Sequence, residues 1–217
     1  MAPHADREDI PWIAEHLGSP NRHVRAAAAS ALGRIGHPGA QAALMGRVGD
    51  ADPLVRASVA RALGQIGTTY ASQQLMEMLD DPSALVRSLA AWGLGESGCR
   101  EAAAALTTMA QRTATATEVT WRADQVYGRP EQAAVEALGK IGGPEAVAAL
   151  REALRSPSWL IRATAAQALA EANDRSPQTL GALEGCLKDP VNLVQAHALL
   201  ALKALGKTYP PGYFQTH

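Results

Sequence analysis

Apolar positions recur along this chain with a period of about 31 residues. Each copy contains two apolar stripes with helical spacing, in which residues four positions apart share one face. The first stripe is marked by apolar residues that begin an i, i+4 pair: Ile13, Leu44, Leu75, Leu106, Leu150 and Leu183. The second stripe is marked by leucines in alanine-rich segments: Leu32, Leu63, Leu94, Leu138, Leu169 and Leu202. The pattern predicts six units, each with a first helix, a turn and a second helix.

Helix start and stop signals separate these stripes. Asp or Ser stands near Pro in the turns SP, DADP, DDPS, SPSW and DPV, where a side chain caps the helix and proline needs no backbone donor. The second helices end in glycine, as in LGRIG and LGQIG, which suits a left-handed C-terminal cap. The fifth unit ends LAEAN, so Asn173 is the expected substitute. We interpret the glycines of ALGRIG as caps and not as phosphate-binding loops, because they end helices.

One unit departs from the period. The spacings between the second-stripe leucines are 31, 31, 44, 31 and 33 residues, so the fourth unit carries 13 extra residues. The extra length lies in TATATEVTWRADQVYGRP, residues 113–130, and predicts an inserted loop at the rim of the array. Long loops of this kind are usually functional or disordered. The loop is either a lid that brings its aromatic and charged residues over the neighbouring helices, or a compact loop with no further role.

The units resemble HEAT-like repeats. The resemblance rests on DP-x-x-x-VR-x-x-A-A-x-A-L-G-x-I-G, as in HVRAAAASALGRIG from His23 and LVRASVARALGQIG from Leu54, and it covers about residues 6–206. The units are similar in particular to the short class of HEAT-like repeats found in phycobiliprotein lyases and many bacterial scaffold proteins. The resemblance implies an all-α fold, a right-handed α-solenoid of six two-helix repeats forming one domain over residues 1–217, with second helices lining the concave surface. It does not fix function, since the family includes scaffolds, chaperones, chromophore lyases, a hydroxylase and DNA-repair enzymes.

Positions in the second helices are counted from the arginine of the VR pair, which is Glu131 in the fourth unit and Gln195 in the sixth. Positions −1, +3, +4, +6, +7 and +10 are apolar and predict the core, whereas +1, +5 and +9 are predicted to share the opposite face. At +5 stand Ser30, Arg61, Trp92, Glu136, Gln167 and Leu200, and at +9 stand Arg34, Gln65, Glu96, Lys140, Glu171 and Ala204. A varying face on a repeated framework indicates a recognition surface, and neutral drift at exposed positions is the alternative.

Trp92 is the leading contact candidate on that face, because it exposes a large apolar side chain in a small and polar groove. Arg61, one unit earlier, can lie across its ring. The alternative is that a loop or tail of this same chain covers Trp92. Together with the inserted loop, the candidate binding residues are Arg61, Trp92, Glu96, Trp121, Arg122, Asp124, Tyr127, Glu136 and Lys140.

Acid/base chemistry has three candidates, Glu96, Asp124 and Glu136, of which Glu96 and Glu136 could face each other across one groove. Their spacing does not distinguish them from ordinary surface acids. The repeated His-Glu pairs on which the HEAT-like hydroxylases depend are absent from this sequence, so we predict no metal site and no cofactor.

The VR arginines are predicted to form an internal ladder with turn aspartates and not a nucleic-acid interface. The aspartates in question are Asp50, Asp52, Asp81 and Asp189. Arginines paired inside the protein cannot supply the phosphate contacts that dominate DNA affinity. The net charge of −1 also creates no field toward nucleic acid or an acidic membrane.

The remaining features bear on location and on the chain end. No apolar run approaches the 18 residues or so of a spanning helix, and MAPHADREDIPW does not resemble a secretory signal. Cys99 and Cys186 are isolated, which favours reduced thiols and a cytoplasmic location. The tail KTYPPGYFQTH, residues 207–217, is predicted to cap the last unit, with a short linear motif as the alternative.

Two functions follow from these patterns. We expect a non-catalytic scaffold or adaptor that binds a protein or peptide in its concave groove. The alternative is a metal-independent lyase- or cyclase-like enzyme, or a carrier, that holds a flat, tetrapyrrole-like molecule under the 113–130 loop. Tetrapyrrole attachment is what the family resemblance implies for the second function.

Overall fold

The structure, a computed structural model, describes residues 7–112 and 129–208. Within these ranges the chain forms twelve α-helices and no β-strand. The first helices are α1 Ile10–Glu15, α3 Gln41–Met45, α5 Thr69–Met78, α7 Ala103–Gln111, α9 Gly143–Ala153 and α11 Pro177–Cys186. The second helices are α2 Arg22–Ile35, α4 Pro53–Ile66, α6 Ala84–Glu96, α8 Pro130–Ile141, α10 Trp159–Glu171 and α12 Asn192–Ala204. The predicted all-α solenoid of helix pairs is confirmed, and its right-handed sense stays a prediction.

Capping groups set the helix boundaries. The Asp52 side chain accepts a hydrogen bond from the Leu54 amide at 2.9 Å, directly before Pro53 begins α4. At the other ends, Gly36 and Gly67 adopt φ of +65° and +67°, as C-terminal caps require. Asn173 takes the same left-handed conformation, with φ of +52°. The predicted capping roles of these terminal residues are confirmed.

The core follows the two predicted stripes. All six leucines of the second stripe have no exposed surface, and the first-stripe residues from Ile13 to Leu183 are at most 5% exposed. Burying one such side chain stabilises the fold by about 2 kcal/mol. One continuous hydrophobic cluster therefore runs from α1 to α12 between the two layers of helices.

The inner glycine of each LG-x-I-G motif is not a cap, which corrects our interpretation of both glycines as caps. Gly33, Gly64 and Gly139 lie within helices α2, α4 and α8. A methyl group on Gly64 would lie 2.4 Å from the Cα atom of Gly93 in α6. One on Gly139 would lie 2.8 Å from the Ala168 side chain in α10. These glycines let neighbouring second helices approach to backbone contact.

The predicted exposure of position +1 is wrong in four units. Ala26, Ala57, Ser88 and Ala163 are buried, at 6% exposure or less. Position +1 lies seven residues, or about two helical turns, before the inner glycine at +8, so both fall on one stripe. Small residues on this stripe form the seam between stacked second helices. The exposed face is therefore carried by +5 and +9.

The spacing of the two layers shows which side is concave. Each second helix packs closely against the second helices before and after it along the chain. Among the first helices in the described residues, α7 and α9 approach each other most closely, and their contact is still much smaller than any contact between consecutive second helices. A two-layer stack curves toward the layer whose members are closer together, so the second helices line the concave side.

Candidate functional site

The candidate site is the set of side chains at +5 and +9 of the second helices, which we call the concave face. All of them are exposed except Ser30 and Trp92, which are half-buried. It carries Ser30, Arg34, Arg61, Gln65, Trp92, Glu96, Glu136, Lys140, Gln167, Glu171, Leu200 and Ala204. Five of the nine predicted binding residues belong to it and lie on the adjacent helices α4, α6 and α8. The other four, Trp121, Arg122, Asp124 and Tyr127, lie outside the described residues.

Arg61 and Trp92 form a cation–π contact between α4 and α6. The Cζ atom of Arg61 lies 5.9 Å from the centroid of the Trp92 ring. The close approach of Gly64 to Gly93 brings these two helices together at this point. Trp92 is half-buried and Arg61 is exposed. The pair therefore presents a charged group above a partly accessible indole.

The acidic candidates have different partners. Glu96 forms an ion pair with Lys140, which joins α6 to α8. This contact is possible because Gly95 faces Ala137, where an added methyl group would lie 2.9 Å from the Ala137 Cα atom. Glu136 instead accepts a hydrogen bond from the Gln132 side chain at 2.9 Å within α8. Glu96 thus has an ion-pair partner, whereas Glu136 has no Lys or Arg partner among the described residues.

Charge is ordered along the concave face. Arg34 and Arg61 stand in the first two units, and Glu136 and Glu171 stand in the fourth and fifth. Leu200, in the sixth unit, is 63% exposed. This polarity is visible in the sequence when the +5 and +9 residues are taken in chain order, and the predicted set of individual site residues does not include it.

The predicted arginine–aspartate ladder is confirmed at three steps. Arg56 donates two hydrogen bonds to Asp81, at 2.7 and 2.9 Å. Its remaining terminal nitrogen donates to the Asp50 carbonyl at 2.8 Å. The same arrangement joins Arg25 to Asp50 and Arg162 to Asp189. Asp52, also named for the ladder, caps α4 and pairs with Arg22 at 3.0 Å.

The hydrogen bonds of the ladder lower the pKa values of the aspartate carboxyl groups. The hydrogen bonds from Arg25 hold the pKa of Asp50 below its usual value, although partial burial opposes the shift. Arg162 lowers the pKa of Asp189 in the same way. Arg87 donates to the backbone carbonyls of Asp81 and Pro82, at 2.9 and 3.1 Å. The ladder arginines therefore serve the framework, which removes them as phosphate ligands.

The two thiols are unreactive in character. Cys186 is buried and Cys99 is half-buried, where it donates to the Glu101 carboxylate at 3.4 Å. Burial raises the pKa of both thiols, so both stay protonated near neutral pH.

Residues 7–112 and 129–208 contain no group of three or more His, Cys, Asp or Glu side chains placed to hold a metal ion. None of the helices found there combines the length and the apolar character needed to cross a bilayer.

Comparison with known families identifies the family of this chain. The sequence profile of HEAT repeats matches residues 4–51, 46–125 and 129–206. Since these matches cover nearly the whole sequence, the chain belongs to the HEAT-repeat family. No protein of curated function matches the sequence significantly.

Solved structures with the same architecture agree with this assignment. The complex of CpcE and CpcF of phycocyanin lyase from Nostoc sp. PCC7120 is similar with a TM-score of 0.67 and 28% identity, over 95% of this chain and 80% of that chain. A designed armadillo repeat protein in complex with the peptide (KR)4 gives 0.58 and 19% identity, over 91% and 99%. An engineered protein gives 0.57 and 22%, over 91% and 96%. The last two show the fold alone.

Proposed function

We propose that this protein is a scaffold or adaptor that binds a protein or peptide segment on its concave face. The Arg61–Trp92 pair is the observation that carries the proposal. Its indole is partly accessible, and its guanidinium group is exposed and forms no ion pair with a described residue. Tryptophan and arginine are the residue types that most often dominate binding energy at protein interfaces. The ladder arginines, by contrast, are already used within the framework.

The similarity to phycocyanin lyase supports a protein partner. The solved structure is a complex of two proteins, CpcE and CpcF, and this chain shares 28% identity with the matched chain. Fold does not carry function by itself. The residues of the concave face therefore have to be tested directly.

The test compares two tryptophans. A partner captured from the source cell by the wild-type protein should bind Trp92→Ala and Arg61→Ala about tenfold more weakly, as expected for interface hot spots. Trp159→Ala is the matched control, because Trp159 is 43% exposed and stands at the first residue of α10, outside the +5 and +9 positions. Circular dichroism would verify that all variants are folded. Wild-type affinity of both Trp92→Ala and Arg61→Ala would contradict the proposal.

A second candidate function is favoured by the phycocyanin lyase similarity itself. In this proposal a flat, tetrapyrrole-like molecule stacks on Trp92, with the inserted loop of residues 113–130 acting as a lid. The protein would be a carrier or a metal-independent lyase- or cyclase-like enzyme, with Glu96, Asp124 or Glu136 assisting proton transfer.

The inserted loop discriminates between the two functions. A linear tetrapyrrole would be titrated while tryptophan fluorescence is measured in the wild type and in a variant whose residues 113–129 are replaced by RSPS, the turn at residues 155–158. Quenching that disappears in the loop variant and in Trp92→Phe supports the small-molecule function. The scaffold function is supported if the tetrapyrrole does not quench the wild type and the loop variant binds the captured protein partner with wild-type affinity.

A further inference from the structure

We propose that the segment bound on the concave face is extended and charge-segregated, with its acidic half against the first two units and its basic half against the fourth and fifth. This inference rests on the proposed function and adds the chemistry and orientation of the partner. It is carried by the order of charges along the face, and not by any single residue.

On the concave face, the first two units present only positive charge. At +5 and +9 they carry Ser30, Arg34, Arg61 and Gln65. Neither Arg34 nor Arg61 forms an ion pair with a residue in the described part of the chain. Both guanidinium groups are exposed, so an incoming carboxylate finds charges that are not yet neutralised.

The fourth and fifth units present net negative charge. Lys140 is occupied by Glu96, so this central pair contributes little field. Glu136 and Glu171 are exposed, and neither is paired with a described Lys or Arg. Lys203 lies at +8 of α12, the position that faces the following unit in earlier repeats, and so it is directed away from Glu171. An ammonium or guanidinium group is the complement of this half.

The spacing of the units is large enough for a bound segment to distinguish the order of charges along the concave face. Stacked helices lie about 8–10 Å apart, and an extended chain advances about 3.3 Å per residue, so about three partner residues span one unit. The Debye length at physiological salt is about 8 Å. Each unit therefore senses mainly the partner charges directly above it. A segment with mixed charges cannot satisfy both halves, and a nucleic acid would be repelled by the acidic half.

Two synthetic peptides of identical composition test this inference. Both are fluorescein-labelled and about 13 residues long, which spans the four unit-to-unit spacings from Arg34 to Glu171 at about three residues per spacing. One has glutamates confined to one half and lysines to the other, and the second has them interleaved. Fluorescence anisotropy should show about tenfold tighter binding of the segregated peptide, with a difference that shrinks as salt is added.

Charge-reversal variants give the orientation. Arg61→Glu and Glu171→Lys should each weaken binding of the segregated peptide by about fivefold or more, because like charges then face each other. Arg100→Glu and Glu145→Lys make the same net changes at exposed residues beside or within the first helices α7 and α9, and should leave binding unchanged.

Equal affinity for the two peptides, absence of binding by either, or equal effects of the face and control variants would overturn the inference. None of these results would remove the proposed function. That function fails only when the captured partner ignores Trp92→Ala and Arg61→Ala.

Discussion

Asp80 and Asp81 are neighbours in sequence with very different surroundings. Comparing them therefore measures how much a ladder ion pair contributes to the free energy of unfolding. Asp81 and Arg56 are 9% and 14% exposed, whereas Asp80 and its partner Arg112 are 76% and 47% exposed. Asp81→Asn should lower the free energy of unfolding by about 2 kcal/mol, because the Arg56 charge loses its partner where water reaches it poorly. Asp80→Asn should change it by at most about 0.5 kcal/mol. Urea unfolding of both variants checks this, and similar losses would mean that the ladder is no stronger than a surface pair.

The ladder also predicts acid sensitivity. Arg25 and Arg162 lower the pKa of Asp50 and Asp189 in the folded protein. The unfolded chain therefore takes up protons first, at the ordinary aspartate pKa of about 3.9. The stabilisation is complete above that pKa and is lost as pH falls through the lower pKa of the folded state. Urea unfolding at several pH values should show stability falling below about pH 4, with a smaller fall in Asp189→Asn. Parallel profiles for the two proteins would contradict this.

At the element scale, the contact between α4 and α6 depends on the absence of two side chains. Gly64→Ala places a methyl group 2.4 Å from the Gly93 Cα atom, so one helix must move. We expect a loss of about 1–3 kcal/mol from overpacking, which exceeds the gain of about 1 kcal/mol from better helix propensity. The Arg61–Trp92 contact should loosen with it, which tryptophan fluorescence would report.

Gly181→Ala is the control for this seam variant. Gly181 lies inside α11 with no neighbouring atom within 4 Å of an added methyl group. The substitution should stabilise the protein by about 0.5–1 kcal/mol through helix propensity alone. Equal effects of the two substitutions on the urea midpoint would mean that the second helices do not rely on close packing at Gly64.

The helices themselves were largely predictable from sequence, and the seam between them was not. Leu32 and its equivalents mark the core because only a buried stripe keeps one residue type in every unit. From the sequence alone the inner glycine is easily taken for a cap, since Gly33 stands only three residues before the true cap Gly36. Its role depends on the helix opposite, which one unit alone does not reveal. The available signal was the seven-residue spacing between the small residue at +1 and the glycine at +8.

At the scale of the whole molecule, the repeat predicts a framework whose exposed residues are free to differ. The placement of Arg61 beside Trp92 was predictable because both occupy +5 in adjacent units. Glu96 and Lys140 were predictable neighbours for the same reason, since both occupy +9 in adjacent units. Their ion pair was not predictable, because it also depends on how closely α6 approaches α8 at Gly95. The identity of a partner is not encoded in the repeated framework, because the buried leucines recur in every unit whereas the +5 and +9 residues differ from unit to unit.

The same architecture predicts that damage stays local. Asp50 joins the first two units through Arg25, and Asp189 joins the last two through Arg162. Because each unit contacts mainly its neighbours, losing one joint weakens the adjacent helices without changing contacts at the far end. Amide hydrogen exchange should therefore rise in α2 and α4 in Asp50→Asn, and in α10 and α12 in Asp189→Asn, with the opposite end unchanged. A uniform rise along the chain in either variant would instead show that all the repeats open together as one cooperative unit.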